Sequence, residues 1–178
     1  ICRMRRTPII TYINKMDRDG KDPIELMDEV ETELNVKITP MSWPVGQGKS
    51  FKGVYSIYEK RLILFSSHGT QEGDHVVEIT DLNDEKLDIH AGQEAAKLRE
   101  EIELINEIYP PFDREQYLSG LITPVFFGSA ISNFGVRELL DCLVDIAPFP
   151  VSHEAEERIV EAVENKFSGF IFKIHANL

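Results

Sequence analysis

The stretch I-I-T-Y-I-N-K-M-D at residues 9–17 decides the fold of this chain. Its first five residues are apolar, β-branched or aromatic, which is typical of a buried strand in a parallel sheet. The polar residues that follow stand at the carboxyl end of that strand, where open α/β sheets bind their ligands. The sequence therefore predicts an α/β fold with a binding loop at residues 14–17.

The side chains of this loop suit guanine. A carboxylate accepts two parallel hydrogen bonds from adjacent N–H donors, and guanine presents such a pair at N1 and its exocyclic amine, whereas adenine does not. Asp17 would bind that edge, Asn14 would bond the opposite edge of the base or brace the loop, and the alkyl stem of Lys15 would lie along the base plane. The alternative is a plain strand-to-helix loop in which Asn14 and Asp17 make local turn hydrogen bonds.

Composition narrows the classes of function. A chain of 178 residues can bury one sizeable core and carry a smaller module beside it. Because 31 acidic residues outnumber 19 basic ones, giving a formal charge of -12, direct nucleic-acid binding is not expected. The sequence shows neither a long apolar run nor a signal peptide, and so predicts no membrane segment. Cys2 and Cys142 do not form a disulfide framework, which favours a reducing, cytoplasmic setting.

A helix is predicted after the loop. Asp22 is a suitable N-cap, Pro23 suits the first helical position, and Glu25 stands three residues after the cap. One apolar face follows at helical spacing, made of Ile24, Met27, Val30 and Leu34. The acidic residues of this helix are expected to face solvent.

The middle of the chain predicts a small antiparallel insert, at about residues 45–110. G-Q-G-K-S at residues 46–50 is similar to the end of a phosphate loop, but Trp43 stands where the first glycine of that motif belongs. The alternation of residues 51–58 predicts a strand and not the helix that a phosphate loop must open. Further strands are expected at residues 61–65 and 75–79, and a long helix at about residues 91–108. His68, His75 and His90 do not stand at ligand spacing, so no metal site is predicted.

A second binding loop is predicted at I-T-P-V-F-F-G-S-A, residues 122–130. An apolar strand opens there into small residues, and a backbone N–H near Ser129 and Ala130 would donate to O6 of a guanine held by Asp17. A plain strand-to-helix turn is again the alternative. The following helix is predicted to bury Val136, Leu139, Leu140, Leu143 and Val144.

The two ends of the chain indicate a piece of a longer protein. The chain starts at Ile1 and enters a core strand almost at once, and it stops at Leu178 just after a strand-like run at residues 167–174. A single strand cannot be stable alone. We therefore expect one domain over residues 1–150, and a linker with the first strand of another over residues 151–178.

Four runs carry a resemblance to a known family. They are N-K-M-D followed by R-D-G-K-D-P-I-E-L-M-D-E-V, then W-P-V-G-Q-G-K-S-F-K-G-V-Y, T-P-V-F-F-G-S-A-I-S-N-F-G-V and K-F-S-G-F-I-F-K-I-H-A-N. The chain resembles the bacterial peptide chain release factor 3 family, translational GTPases related to elongation factor G, over nearly its whole length. Elongation factor G shares N-K-M-D, F-K-G-V and G-S-A, whereas the W-P-V-G-Q-G-K-S and S-N-F-G-V runs are more similar to the release factor.

This resemblance implies a fold, a site and a function. The fold would be the later part of a P-loop-type GTPase domain, a parallel sheet with flanking helices and an antiparallel insert, followed by the start of a β-barrel domain. Asn14, Lys15 and Asp17 would contact guanine, and Ser129 and Ala130 would close over the base. The full-length protein would use GTP, with GDP and Mg²⁺ as its other ligands, on the ribosome to recycle stop-codon-reading release factors.

Catalytic residues are not predicted in this chain. In the family, the phosphate loop, the Mg²⁺-binding threonine switch and the D-x-x-G segment precede N-K-x-D, and phosphoryl transfer depends on holding the phosphates and the metal. The chain alone is therefore expected to be inactive and to bind guanine nucleotides weakly. The alternatives are a piece of another translational GTPase, such as elongation factor G, and a non-catalytic GTPase-like interaction module.

Overall fold

A computed structural model of the chain describes residues 7–64, 75–171 and 173–175. These residues belong to two compact units, residues 1–147 and 148–178. The strands are β1 (Thr11–Ile13), β2 (Lys37–Pro40), β3 (Ser42–Val45), β4 (Gly53–Ser56), β5 (Arg61–Leu64), β6 (His75–Glu78), β7 (Ile122–Phe127), β8 (His153–Glu154) and β9 (Ile159–Val160). The α-helices are α1 (Pro23–Leu34), α2 (Glu85–Ala91), α3 (Glu94–Ile108), α4 (Arg114–Leu118) and α5 (Val136–Ile146).

A parallel sheet of order β1-β7-β2 carries the first unit. Strand β7 lies in the middle, and all six of its residues are buried. The sequence predicted β1 and β7, and the structure pairs them with Ile13 opposite Phe127. Strand β2 is a short strand that ends at Pro40. It pairs with the other edge of β7, with Ile38 opposite Thr123, so that helices and parallel strands form the predicted α/β fold.

An antiparallel sheet of order β3-β4-β5-β6 is inserted in the chain between β2 and β7. Each strand pairs with the next one along the sequence, which confirms the predicted antiparallel insert. Trp43 of β3 is fully buried and meets Phe127 of β7 edge to face, with ring centroids 5.1 Å apart. Its indole N–H donates to Glu101 of α3 at 2.9 Å. The insert and the parallel sheet therefore share one hydrophobic core.

Local capping signals fix most helix starts. The Asp22 carboxylate accepts the Ile24 N–H at 2.9 Å, and α1 begins at Pro23 as predicted. The Asp113 carboxylate accepts the Gln116 N–H at 2.9 Å at the start of α4. The long helix expected at about residues 91–108 is instead α3, preceded by the separate helix α2. Gly92 lies between them at φ +60°, a conformation outside the helical region.

The face predicted for α5 was wrong in part. The helix buries Glu138, Cys142 and Ile146, which recur every four residues and so share one side of the helix. Three of the residues expected inside are exposed, Leu140 by 52%, Leu143 by 41% and Val144 by 85%. Apolar residues lie on both sides of this helix, so its sequence pattern alone does not choose the packed face. Burial, with Asp145 and Glu59 nearby, raises the pKa of the Cys142 thiol to about 11.

The second unit contains a short antiparallel pair, β8 with β9. Of the strand predicted at residues 167–174, residues 167–171, 173 and 174 have no regular secondary structure, and residue 172 lies outside the described residues. A strand forms only beside a neighbouring strand that pairs with its backbone N–H and C=O groups.

Candidate functional site at the ends of two parallel strands

Two loops meet at the carboxyl ends of β1 and β7. The pairing of the strands continues beyond their ends, because the Gly128 N–H donates to Ile13 O at 3.1 Å and the Met16 N–H donates to Gly128 O at 3.1 Å. Met16 is 2% exposed and anchors its loop in the core. The loop at residues 14–17 therefore lies directly beside the loop that begins at Gly128.

Asn14 joins the two loops. Its side-chain carbonyl accepts the Ala130 N–H at 2.9 Å and the Lys15 N–H at 2.8 Å. Of the two roles expected for Asn14, the structure shows the brace. The contact joins residues 116 positions apart in the sequence, so it fixes the relative position of the loops.

Lys15 has a left-handed backbone, with φ +71°. Such a conformation costs a residue with a side chain about 1 kcal/mol or more. Two hydrogen bonds hold it: the Lys15 N–H donates to Asn14, and Lys15 O accepts the Arg18 N–H at 3.0 Å. The Lys15 residue is exposed, so its alkyl stem is available at the surface of the loop.

Asp17 carries an unsatisfied acceptor. Its Oδ1 is buried and receives no hydrogen bond from any residue that the structure describes. A buried acceptor without a donor is costly, on the order of 1–3 kcal/mol. An N–H donor from a ligand would satisfy this oxygen once a movement of the loop uncovers it.

The Tyr12 hydroxyl is half-buried and lies near two carboxylates. Burial chiefly, and then the negative charges of Glu138 and Asp17, raise the pKa of the Tyr12 hydroxyl from 10.0 to about 12. The neutral hydroxyl donates to Phe134 O at 2.7 Å. The Tyr12 side chain of β1 therefore holds the second loop through Phe134 O, a contact that no local sequence pattern predicted.

The second loop is a tight turn. The Ser129 N–H donates to Phe134 O at 2.9 Å, and the Phe134 N–H donates to Ser129 O at 2.8 Å. Ser129 is fully buried. Gly128 makes the turn possible, because a Cβ there would lie 2.2 Å from Phe134 O and 2.3 Å from the Tyr12 hydroxyl.

Both predicted backbone donors of this turn are engaged within the protein. The Ser129 N–H is bonded to Phe134 O, and the Ala130 N–H is bonded to Asn14. A hydrogen bond from either of these N–H groups to guanine O6 would therefore be shared with its partner in the protein.

The glycine-rich segment at residues 46–50 is not a phosphate loop. Only a three-residue 3-10 turn, Gly48–Ser50, forms there, and β4 follows it. A phosphate loop needs a helix whose N-terminus receives the anion. The segment instead contacts the first loop, because the Gly48 N–H donates to Met16 O at 2.9 Å. The sequence signal for this contact was the pair of glycines, both of which have positive φ.

The described residues hold neither a metal-binding cluster nor a membrane-spanning helix. Within residues 7–64, 75–171 and 173–175, no three His, Cys, Asp or Glu side chains come together as a metal-binding group. His68 and Cys2, considered in the sequence analysis, lie outside these ranges. In the same part of the chain, no helix is both long and apolar enough to cross a membrane.

The family described as the elongation factor Tu GTP binding domain matches residues 1–149. A crystal structure of a protein from Thermus thermophilus is similar in fold, with a TM-score of 0.52 and 18% sequence identity. The similarity covers 82% of this chain and 23% of that protein. The chain therefore spans about a quarter of the length of the solved protein that it resembles.

Proposed function

The chain belongs to the family of elongation factor Tu GTP-binding domains, and from that premise we propose that its two strand-end loops form the guanine-binding part of a translational GTPase. One observation supports this proposal above the others. The N-K-M-D loop and the G-S-A loop, far apart in the sequence, are joined by the Asn14 side chain and the Ala130 N–H. This contact holds the loop that contains Asp17 beside a turn of small residues.

Each residue of the pocket has a distinct role in the proposal. Asp17 accepts the guanine N1–H and exocyclic amine, which supply the donors that its buried Oδ1 lacks within the described protein. Lys15 covers the face of the base with its alkyl stem. Asn14 holds the loops together. Ser129 shapes the turn, and Ala130 presents its N–H towards O6.

We assign the GTPase, more finely, to the peptide chain release factor 3 type. The support is the sequence resemblance of the W-P-V-G-Q-G-K-S-F-K-G-V-Y and S-N-F-G-V runs. The full-length factor would then act in the cytoplasm, on the ribosome, and would use GTP to recycle the release factors that bind stop codons. Elongation factor G is the second candidate, favoured by the shared N-K-M-D, F-K-G-V and G-S-A runs.

The chain would supply base recognition and not hydrolysis. Phosphoryl transfer requires a phosphate cradle and Mg²⁺, and we propose that residues upstream of Ile1 in the full-length protein provide both. Residues 1–150 would then be the later part of the GTPase domain, and residues 151–178 would lead into a β-barrel domain. The chain alone would bind GDP weakly and would not hydrolyse GTP.

Calorimetric titration of the full-length protein with GDP, in the presence of Mg²⁺, tests the proposal. Asp17→Asn replaces an acceptor oxygen by a donor, so affinity for GDP should fall by roughly 10- to 100-fold. Affinity for xanthosine diphosphate, which presents an acceptor at the altered position, should rise. Glu25→Gln, an equal change of charge at an exposed position of α1, is the control. Unchanged GDP affinity in Asp17→Asn would refute the assigned role.

Two further observations separate the candidate functions. A G-x-x-x-x-G-K-[ST] motif and a D-x-x-G segment upstream in the gene would favour the enzyme, and their absence would favour a non-catalytic interaction module. Release of a stop-codon-reading release factor from ribosomes, driven by GTP and the full-length protein, would separate a release factor 3 from an elongation factor G.

A further inference from the structure

We propose that the turn at residues 46–50 is a positioning element that sets guanine selectivity by holding the N-K-M-D loop in place. This inference rests on the proposed function of Asp17. It concerns Gly48 and Gln47, which touch the loop without being placed at the base.

The turn holds the loop on both sides of Asp17. Before it, Met16 O accepts the Gly48 N–H at 2.9 Å. After it, Lys21 O accepts the Gln47 side-chain amide at 2.9 Å. Two consecutive residues of the turn therefore fix the two ends of the segment that contains Asp17.

The fit between turn and loop depends on Gly48. Its φ is +58°, and a Cβ there would lie 2.0 Å from Asp19 Oδ1, 3.0 Å from Asp19 Cγ and 3.2 Å from Asp19 N. Asp19 therefore packs directly over the Gly48 Cα. Gly48→Ala would therefore strain the backbone, and its Cβ would press on Asp19, two residues after Asp17.

Internal hydrogen bonds hold the turn together. The Gln47 N–H donates to Ser50 Oγ at 3.2 Å, and Gln47 O accepts both the hydroxyl and the N–H of Ser50 at 3.1 Å. At its base, the Lys52 N–H donates to Val45 O at 2.8 Å, and the paired strands β3 and β4 continue from there. A site built on such elements is held more closely than a free loop.

Selectivity is the property that this support controls. The phosphates and ribose of a nucleotide are bound elsewhere in the proposed pocket, so a displaced N-K-M-D loop weakens contacts to the base alone. The exocyclic amine, which distinguishes guanine from hypoxanthine, donates to Asp17. A shift of the carboxylate by even about 1 Å loses that bond. GDP affinity then falls towards that of inosine diphosphate.

The experiment measures GDP and inosine diphosphate affinities of the full-length protein with Mg²⁺, and takes their ratio. We expect Gly48→Ala and Gln47→Ala each to lower the ratio by about tenfold, which is the loss of one hydrogen bond to a charged carboxylate. Gly120→Ala is the matched control, since its φ of +72° carries similar backbone strain before the opposite end of β7. It should lower the melting temperature and leave the ratio unchanged. If Gly48→Ala does not fold, Gln47→Ala decides.

The outcomes separate this inference from the function on which it rests. A ratio that stays within twofold of the parent in Gln47→Ala and in folded Gly48→Ala, while Asp17→Asn abolishes the preference for GDP, would overturn the positioning role alone. A ratio that falls equally in Gly120→Ala would also overturn it, because general destabilisation would then explain the effect. Full GDP preference in Asp17→Asn would instead refute the proposed base contact.

Discussion

Replacement of Gly128 by alanine tests how the two loops are packed. The new Cβ would lie 2.2 Å from Phe134 O and 2.3 Å from the Tyr12 hydroxyl, so its neighbours must move by roughly 1 Å to reach an ordinary contact. Neither neighbour is free to move. Phe134 O accepts the Ser129 N–H at 2.9 Å, and the Tyr12 hydroxyl donates to the same oxygen at 2.7 Å.

The expected cost follows from these contacts. Overpacking of a well-filled site costs about 1–3 kcal/mol, and displacement of the bond between Tyr12 and Phe134 adds about 1 kcal/mol. Gly128→Ala should therefore lower the free energy of unfolding by roughly 2–4 kcal/mol, a large share of the ~5–15 kcal/mol of an ordinary domain. Tyr12→Phe should cost only about 1 kcal/mol, because Phe134 O keeps the Ser129 N–H.

The double variant gives the decisive measurement. Tyr12→Phe removes one of the two atoms that obstruct the new Cβ, so the combined loss should be smaller than the sum of the single losses by about 1 kcal/mol. Urea unfolding can be followed by the fluorescence of Trp43, the one tryptophan of the sequence, which is fully buried in the fold. Losses that add to within about 0.5 kcal/mol would refute the packing argument.

Two other predictions concern the same region. The pKa of Tyr12 is raised from 10.0 to about 12 in the folded protein. The contribution of its neutral hydroxyl to the stability of the fold is therefore complete below pH 10 and is lost as the pH rises to 12. Over that range the free energy of unfolding of the parent should fall by about 1–2 kcal/mol more than that of Tyr12→Phe, after allowance for solvent screening. Equal slopes of the unfolding free energy against pH in the two proteins, measured by urea unfolding, would contradict this. Asp22→Ala removes the cap of α1 and should cost about 1 kcal/mol in the same assay, whereas Asp22→Asn, which keeps a capping oxygen, should cost much less; equal losses would contradict the cap.

Local sequence signals predicted the elements that local physics controls. The run before Asn14 gave β1, the residues before Gly128 gave β7, and Asp22 with Pro23 gave the start of α1. Caps, prolines and apolar periodicity act over a few residues, so their effect is written in the neighbouring sequence. The fold class followed from the order of these elements.

Signals that depend on distant partners were missed or misassigned. The short strand β2 contains a proline and has no strong strand pattern, and it is a strand because β7 offers it an open edge. The packed face of α5 contains Cys142 and Ile146 in place of Leu140 and Val144, since the sheet beneath the helix selects the face. A helical pattern with apolar residues on two sides is satisfied by either choice.

In the candidate site too, the sequence determined some features and the tertiary structure determined others. The sequence by itself determined which residues stand at the strand ends: Asn14, Lys15, Asp17, Ser129 and Ala130 all lie in the two loops where their pattern put them. That much follows from strand and turn propensities within each short segment.

Only the tertiary structure decided how those residues are held. The Asn14 side chain bonds the Ala130 N–H, 116 positions away in the sequence. The Tyr12 hydroxyl bonds Phe134 O in the second loop. The Gly48 N–H, in the segment that is similar to a phosphate loop, bonds Met16 O. Each is a hydrogen bond or close contact between segments far apart in the sequence. Such contacts form only when the sheets bring the segments together, and so no local pattern specifies them.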